Sequence, residues 1–200
     1  MATSLIYRTG PGYELAMRIL YGRHYDSRYR AIADLIGTES SVLDVCCGPA
    51  TLFTRYLKQK RVEYTGLDIN AAFMRSLNSQ GASGMVWDIR EEQRPLPQAD
   101  YVVMQASLYH FLPDAAPVVD RMLAAARLHV IIAEPVRNLA SSDNPLLRFA
   151  GRLLTNPGSG EQPDRFTESS LAEFFKQYGP RVQRSMPIPG SREIVYVLDP

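Results

Sequence analysis

The chain has 200 residues, 46% hydrophobic and 22% charged, with 22 Lys+Arg against 21 Asp+Glu and a formal net charge of +1. That length suits one domain with a full hydrophobic core. The near-neutral balance excludes a strongly basic nucleic-acid binder and an acidic disordered chain, and no apolar run approaches the ~18 residues needed to span a bilayer.

The first segment interleaves tyrosine and arginine: Tyr7, Arg8, Tyr13, Arg18, Tyr21, Arg23, Tyr25, Arg28, Tyr29 and Arg30. Within it, Asp26 is placed to cap a helix with an apolar face of Tyr29, Ile32, Leu35 and Ile36, stopped by Gly37. A short apolar run at 42–45 predicts a strand, and Leu52, Phe53, Tyr56 and Leu57 predict the helix after it. A second run lies at 64–68, followed by Asn70 as the opening of a helix carrying Phe73, Met74 and Leu77. Further runs lie at 84–87, 101–104 and 130–133. Pro113 suits the first turn of a helix carrying Val118, Val119, Met122 and Leu123.

After 130–133 the pattern lapses over 138–166, where an apolar helical piece at 146–154 carries Arg148 and Arg152. A long excursion after a core strand predicts a substrate cover rather than a linker. Thr167 is placed to cap a helix carrying Leu171, Phe174 and Phe175 and ending at Gly179. The runs 181–187 and 193–198 predict a terminal antiparallel hairpin. Continuous apolar runs alternating with helical periods give an α/β fold, a Rossmann-like seven-stranded, mostly parallel sheet with helices on both faces.

The only cysteines, Cys46 and Cys47, are adjacent. Neighbouring cysteines rarely pair, because the small ring strains the peptide between them. Two cysteines make neither a disulfide framework nor a four-ligand zinc site. The first ten residues also lack an apolar signal region. These features predict a metal-free cytoplasmic protein. The two thiols, beside a glycine turn, are also candidates for oxidation.

Ligands of open parallel sheets bind beyond the carboxyl ends of the strands. There the first strand runs into Asp44-Val45-Cys46-Cys47-Gly48-Pro49-Ala50. The stretch resembles the first motif of class I S-adenosylmethionine-dependent methyltransferases, an acid at the strand end followed by a glycine-rich turn. Cys46 and Ala50 stand where that family more often has glycine. The resemblance continues through Gly66-Leu67-Asp68-Ile69-Asn70, Val86-Trp87-Asp88-Ile89-Arg90 and Met104-Gln105-Ala106-Ser107-Leu108-Tyr109-His110-Phe111, about three quarters of the chain in all.

It implies S-adenosylmethionine as cofactor, with S-adenosylhomocysteine as product. Asp44 would meet the methionine ammonium. The turn residues Cys46, Cys47, Gly48, Pro49 and Ala50 would lie along the ligand. Asp68 and Ile69 would hold the ribose side, Asp88 and Ile89 the adenine, and the Gln105 carbonyl the amino group. The resemblance also implies a single domain over 1–200. Residues 1–37 would form a helical lid with Tyr13 and Tyr25 as its aromatics, and 138–166 would cover the substrate.

His110, Glu134 and Tyr109 are the catalytic candidates: His110 or Glu134 as base, Tyr109 to orient an acceptor. The expected acceptor is a small molecule whose oxygen or nitrogen attacks the methyl in an in-line displacement. Nucleic acid is not expected, and the chain would act as a monomer or homodimer. Two alternatives remain open at this stage. One is a non-catalytic S-adenosylmethionine-binding regulatory module. The other is an NAD-binding oxidoreductase, against which the missing G-x-G-x-x-G pattern speaks.

Overall fold

The computed structural model describes residues 15, 17–18, 21–91, 93–136 and 165–200. Seven strands form one sheet: β1 Ser41–Val45, β2 Glu63–Asp68, β3 Ser83–Val86, β4 Ala99–Gln105, β5 Ala126–Pro135, β6 Val182–Pro187 and β7 Glu193–Leu198. Their order is β3-β2-β1-β4-β5-β7-β6. Pairings are parallel from β3 through β5, and β7 runs antiparallel to both β5 and β6. The sheet is the one expected from the apolar runs. The strand order reverses between β1 and β4, the switch point beyond whose strand ends open α/β sheets have their ligand crevice.

The runs are continuous because both faces are covered. In β5, Val130 and Ile132 enter one core and Ile131 and Ala133 the other. Helices α3 (Ala116–Ala125) and α4 (Glu168–Lys176) pack Val119, Met122, Leu171 and Phe175 on the first face. Helices α1 (Tyr25–Ala33) and α2 (Ala71–Ser79) pack Tyr29, Ile32, Phe73 and Leu77 on the second. Gly66 permits the close approach there, since a Cβ on it would fall 2.6 Å from Leu77 Cδ2 and 2.8 Å from Cys47 Sγ.

Two predicted caps hold. Asn70 accepts from the amides of Ala72 and Phe73, and Thr167 forms a reciprocal capping box with Ser170.

Other helix ends differ from expectation. Asp26 does not cap α1, because a 3-10 turn at Gly22–His24 leads directly into it. Its carboxylate instead accepts from Tyr56 Oη at 2.5 Å. Nor is Gly37 the stop: α1 ends at Ala33, where Lys60 Nζ donates to the carbonyls of Ala33 (2.5 Å) and Ile36 (2.7 Å). The turn after β1 enters a π segment at Phe53–Leu57 and a 3-10 turn at Lys58–Lys60 rather than a regular helix. Pro117, not Pro113, stands in the first turn of α3. Helix α4 stops at Lys176, before Gly179.

Tyr13 and residues 138–164 of the expected cover lie outside the described residues. Among the described residues, no helix is long and apolar enough to cross a membrane.

Candidate active site

β1 delivers Asp44 to the crevice, where it is buried and its Oδ2 accepts from Tyr64 Oη at 2.6 Å. Burial pushes this carboxyl up to about 7, against the Tyr64 bond that lowers it, and Asp68 adds a smaller upward push. The turn then reverses sharply. Cys46 (φ 58°), Gly48 (φ 54°) and Ala50 (φ 54°) all adopt the left-handed conformation. A side chain there costs roughly 1–2 kcal/mol, so the two departures from glycine fall on positions whose backbone favours glycine. A Cβ on Gly48 would meet nothing within 4 Å. Gly48 therefore serves the backbone angle, and its open side faces no protein atom.

Asp68, at the end of β2, lies next to this turn. Its Oδ2 accepts from Gly48 N at 2.9 Å and its Oδ1 from Asn70 N at 2.8 Å. An ionised carboxylate has about four acceptor positions, so each oxygen keeps capacity for one more donor. Burial raises the Asp68 carboxyl, and the two amides pull it back. Ile69 beside it is 63% exposed, an apolar surface without a protein cover.

The segment after β3 carries Asp88 and Ile89. The Asp88 carboxylate accepts from Arg90 N (3.0 Å), Nε (3.0 Å) and Nη2 (3.2 Å), which hold it below the usual range. Ile89 is buried.

Beyond β4, Gln105 Nε2 donates to the Arg28 carbonyl at 3.2 Å, and the Gln105 carbonyl accepts from Ser107 Oγ at 3.1 Å. The chain passes through Ala106 (φ 53°) into a 3-10 turn at Leu108–Phe111. That turn carries a buried Tyr109 and a half-buried His110, with ring centroids 3.9 Å apart, and Arg165 lies 3.5 Å over the Tyr109 ring. Glu134, near the end of β5, accepts from Leu108 N through Oε2 at 2.9 Å. It is 1% exposed, and burial pushes its carboxyl up to about 8. The structure thus brings the three catalytic candidates together, with Glu134 beneath the turn that bears the other two. A cleft of about 240 Å³ lies beside this turn, lined by Ile89, Arg90, His110, Phe111, Asp114 and Arg121 among others.

Some contributors carry no sequence motif. Glu193 opens β7 opposite Pro135, 1% exposed. Its Oε1 accepts from Tyr21 Oη at 2.6 Å and pairs with Arg28 Nη2 at 2.8 Å. Arg28, one of the arginines interleaved with tyrosine in the first segment, is thereby committed to the β7 end, with its guanidinium 4.2 Å from the Tyr21 ring centroid. A charge at the head of the otherwise apolar run 193–198 was the one available signal. Tyr25 is buried in α1, its ring 5.3 Å from that of Tyr29 and its face 4.9 Å from Arg18.

Cys46 and Cys47 are free thiols. Burial first, then the carboxylates of Asp44 and Asp68, push both upward. That suppresses the reactive thiolate and runs against an oxidation-sensitive pair. Among the described residues, no cluster of three or more His, Cys, Asp or Glu is placed to hold a metal.

A family profile described as a methyltransferase domain matches residues 18–184. The chain belongs to the methyltransferase-domain family. Its sheet order is that of the class I fold, its activity is S-adenosylmethionine-dependent methyl transfer, and the oxidoreductase alternative falls away.

Solved structures share the architecture of this methyltransferase. A chain of a Haloferax volcanii complex containing the Trm112 methyltransferase activator matches at TM-score 0.70 and 12% identity, over 100% of this chain and 99% of that one. The PH0226 protein of Pyrococcus horikoshii matches at 0.64 and 19%, over 97% of each chain. Magnesium protoporphyrin IX methyltransferase of Synechocystis, solved with S-adenosylhomocysteine, matches at 0.64 and 14%, over 97% of each. No curated protein sequence matches this chain.

The residues present fit the cofactor. The turn has an open side at Gly48, Asp68 has acceptor capacity for a ribose diol, and Ile69 offers an exposed apolar surface.

Proposed function

We propose that this methyltransferase transfers the methyl group to a small-molecule acceptor, through an oxygen or nitrogen nucleophile, by in-line displacement. The observation that carries the reading is the bond from Leu108 N to the buried Glu134 Oε2. It fixes the turn bearing Tyr109 and His110 at the carboxyl edge of β4 and β5, where an acceptor would meet the cofactor.

When bound, S-adenosylmethionine supplies an electrophilic methyl on a positively charged sulfur that leaves as a neutral thioether, so no acid has to expel it. The protein's tasks are alignment and exclusion of water. In this reading Asp68 accepts from the ribose hydroxyls and Ile69 lies along the nucleoside. Asp88 and the Ile89 amide take the adenine edge. Asp44 and the Gln105 carbonyl face the methionine ammonium, and Tyr25 belongs to the N-terminal lid over 1–37. His110 accepts the proton of a nucleophile that must lose one, and Tyr109 walls and orients the acceptor. Glu134 holds their turn from below. Because its carboxyl is pushed up to about 8, it is largely protonated at neutral pH and acts as a positioning residue.

The two free cysteines suit the reducing cytoplasm. Segment 138–166 is assigned to cover the acceptor.

The test incubates the protein with methyl-labelled S-adenosylmethionine and a cell extract split by ultrafiltration. Label in the small-molecule pool, lost in His110→Ala, is the expected result. Label confined to protein or RNA overturns the acceptor class. Cofactor binding with no transfer to any pool returns the chain to the regulatory reading.

A further inference from the structure

Arg121 projects from α3 and is the one side chain, among the described residues, that gathers several backbone carbonyls of the segment after β3. Its Nη1 donates to the Ile89 carbonyl, and its Nη2 donates to the carbonyls of Glu91 (3.1 Å) and Arg94 (2.7 Å). That segment belongs to no helix or strand, and although the Glu91 carbonyl also accepts from Arg94 N at 3.2 Å, no sheet ladder or helix supplies donors to these carbonyls. A guanidinium offers five N–H donors in a rigid plane and can serve several acceptors at once.

The same segment is tied at two other points. The Arg94 guanidinium lies 3.4 Å over the Trp87 ring, and Trp87 N donates to the Asp68 carbonyl at 3.0 Å. Arg90 fixes the Asp88 carboxylate from within the segment. Arg121 alone of these arginines reaches it from another element, and it does so at Ile89 itself. Anchoring the Ile89 carbonyl fixes the peptide plane on the C-terminal side of Ile89 and, with the segment tied on its other side through Asp88, narrows the Ile89 torsions that set the direction of its own N–H.

We propose that Arg121 is a positioning residue for adenine recognition, holding the segment after β3 so that Asp88 and the Ile89 amide present a fixed donor–acceptor edge to the base. This rests on the assignment of Asp88 and Ile89 to the adenine. Asp88 would accept from the exocyclic amine and the Ile89 amide would donate to a ring nitrogen. A base with a carbonyl in place of that amine reverses both requirements, so a correctly held segment must reject it.

The experiment measures, by calorimetry, the affinity ratio between S-adenosylhomocysteine and S-inosylhomocysteine. The proteins are wild type, Asp88→Ala, Arg121→Met and Arg121→Lys. Wild type is expected to favour the adenosine ligand by roughly tenfold or more, as two lost hydrogen bonds imply. Asp88→Ala and Arg121→Met should bring the ratio toward unity. Arg121→Lys keeps charge and stem but not the planar fork, so it should also fall below wild type, and it carries the test should the methionine variant not fold. A ratio kept at the wild-type value by the folded Arg121 variants overturns the proposal, even if they melt earlier or bind both ligands more weakly, because a merely structural staple behaves that way. A wild-type ratio near unity, or one unchanged by Asp88→Ala, shows instead that the adenine assignment itself fails.

Discussion

Asp68, on the β2 side of the crevice, has a backbone amide on each carboxylate oxygen. Glu134, on the β5 side, has Leu108 N on one oxygen, while the other has no hydrogen-bond partner among the described residues. Burial pushes both acids upward, but only Asp68 sits in a site with open surface beside it. The difference separates two uses of a carboxylate. Asp68 is arranged to stay an acceptor and to take further donors. Glu134 is sealed in and shapes the chain above it. In the proposed reading the cofactor half of the edge is built from backbone conformation and amides, the acceptor half from side chains that hold one short turn.

The largest expected effect breaks the first half. In the proposed reading Asp68→Ala removes the ribose acceptor, and it also leaves the amides of Gly48 and Asn70 without their partner. Charge-assisted bonds contribute about 1.5–3 kcal/mol each, so the affinity for S-adenosylhomocysteine should fall by roughly a hundredfold or more. Calorimetric titration checks this. A loss of only a few-fold would place the ribose elsewhere.

Next comes the second half. Glu134→Ala strips the acceptor from the buried Leu108 amide, at a cost of about 1–3 kcal/mol. It should lower turnover at least tenfold while cofactor affinity stays near wild type, with Glu134→Gln recovering much of the rate. Equal losses in affinity and rate would contradict the division between the halves. The same residue carries a pH signature. Its folded carboxyl, at about 8, lies above the ordinary 4.5, so folding takes up a proton. Its contribution to stability is fully present below about pH 4.5 and is lost as pH rises through about 8, a change on the order of a few kcal/mol. Denaturant melts from pH 5 to 9 should show that decline in wild type and a flatter profile in Glu134→Gln.

Asp44 sharpens the comparison from the other side. Its carboxyl stands at about 7, and a cationic ammonium prefers it ionised. Affinity for S-adenosylmethionine should therefore rise with pH up to about 7, by up to tenfold per unit, and then level off. In Asp44→Asn the curve should be flat and lower. A pH-independent wild type would separate Asp44 from the ammonium.

The contrast also explains what the sequence made readable. Apolar runs bounded by Asp44, Asp68, Asp88 and Glu134 give the strands and the edge they share, because each pattern is local. Asn70 and Thr167 are readable as caps for the same reason. The bonds that assemble the site are not local. Tyr64 reaches Asp44 across 20 residues, Leu108 reaches Glu134 across 26, and Tyr21 reaches Glu193 across 172. A list of acids does not say which donor each will meet, and so the bond from Leu108 N to Glu134 cannot be read from the residues around either one. Asp26 misleads in the opposite sense: it has a cap's chemistry, but the preceding 3-10 turn removes the cap position.

The smallest predicted effect concerns the turn itself, where Ala50 holds a left-handed backbone at φ 54° while fully buried. Replacing it with glycine relieves about 1–2 kcal/mol of backbone strain. It also removes a buried methyl, worth about 0.8 kcal/mol, and adds about 0.5–1 kcal/mol of chain entropy to be lost on folding. These contributions nearly cancel, so Ala50→Gly should shift the unfolding free energy by less than about 1 kcal/mol. Urea denaturation with and without S-adenosylhomocysteine would show it. A near-zero change means that packing offsets the strain, which is how a turn of this kind can dispense with glycine. A stabilisation well beyond that would mean that packing leaves the strain uncompensated.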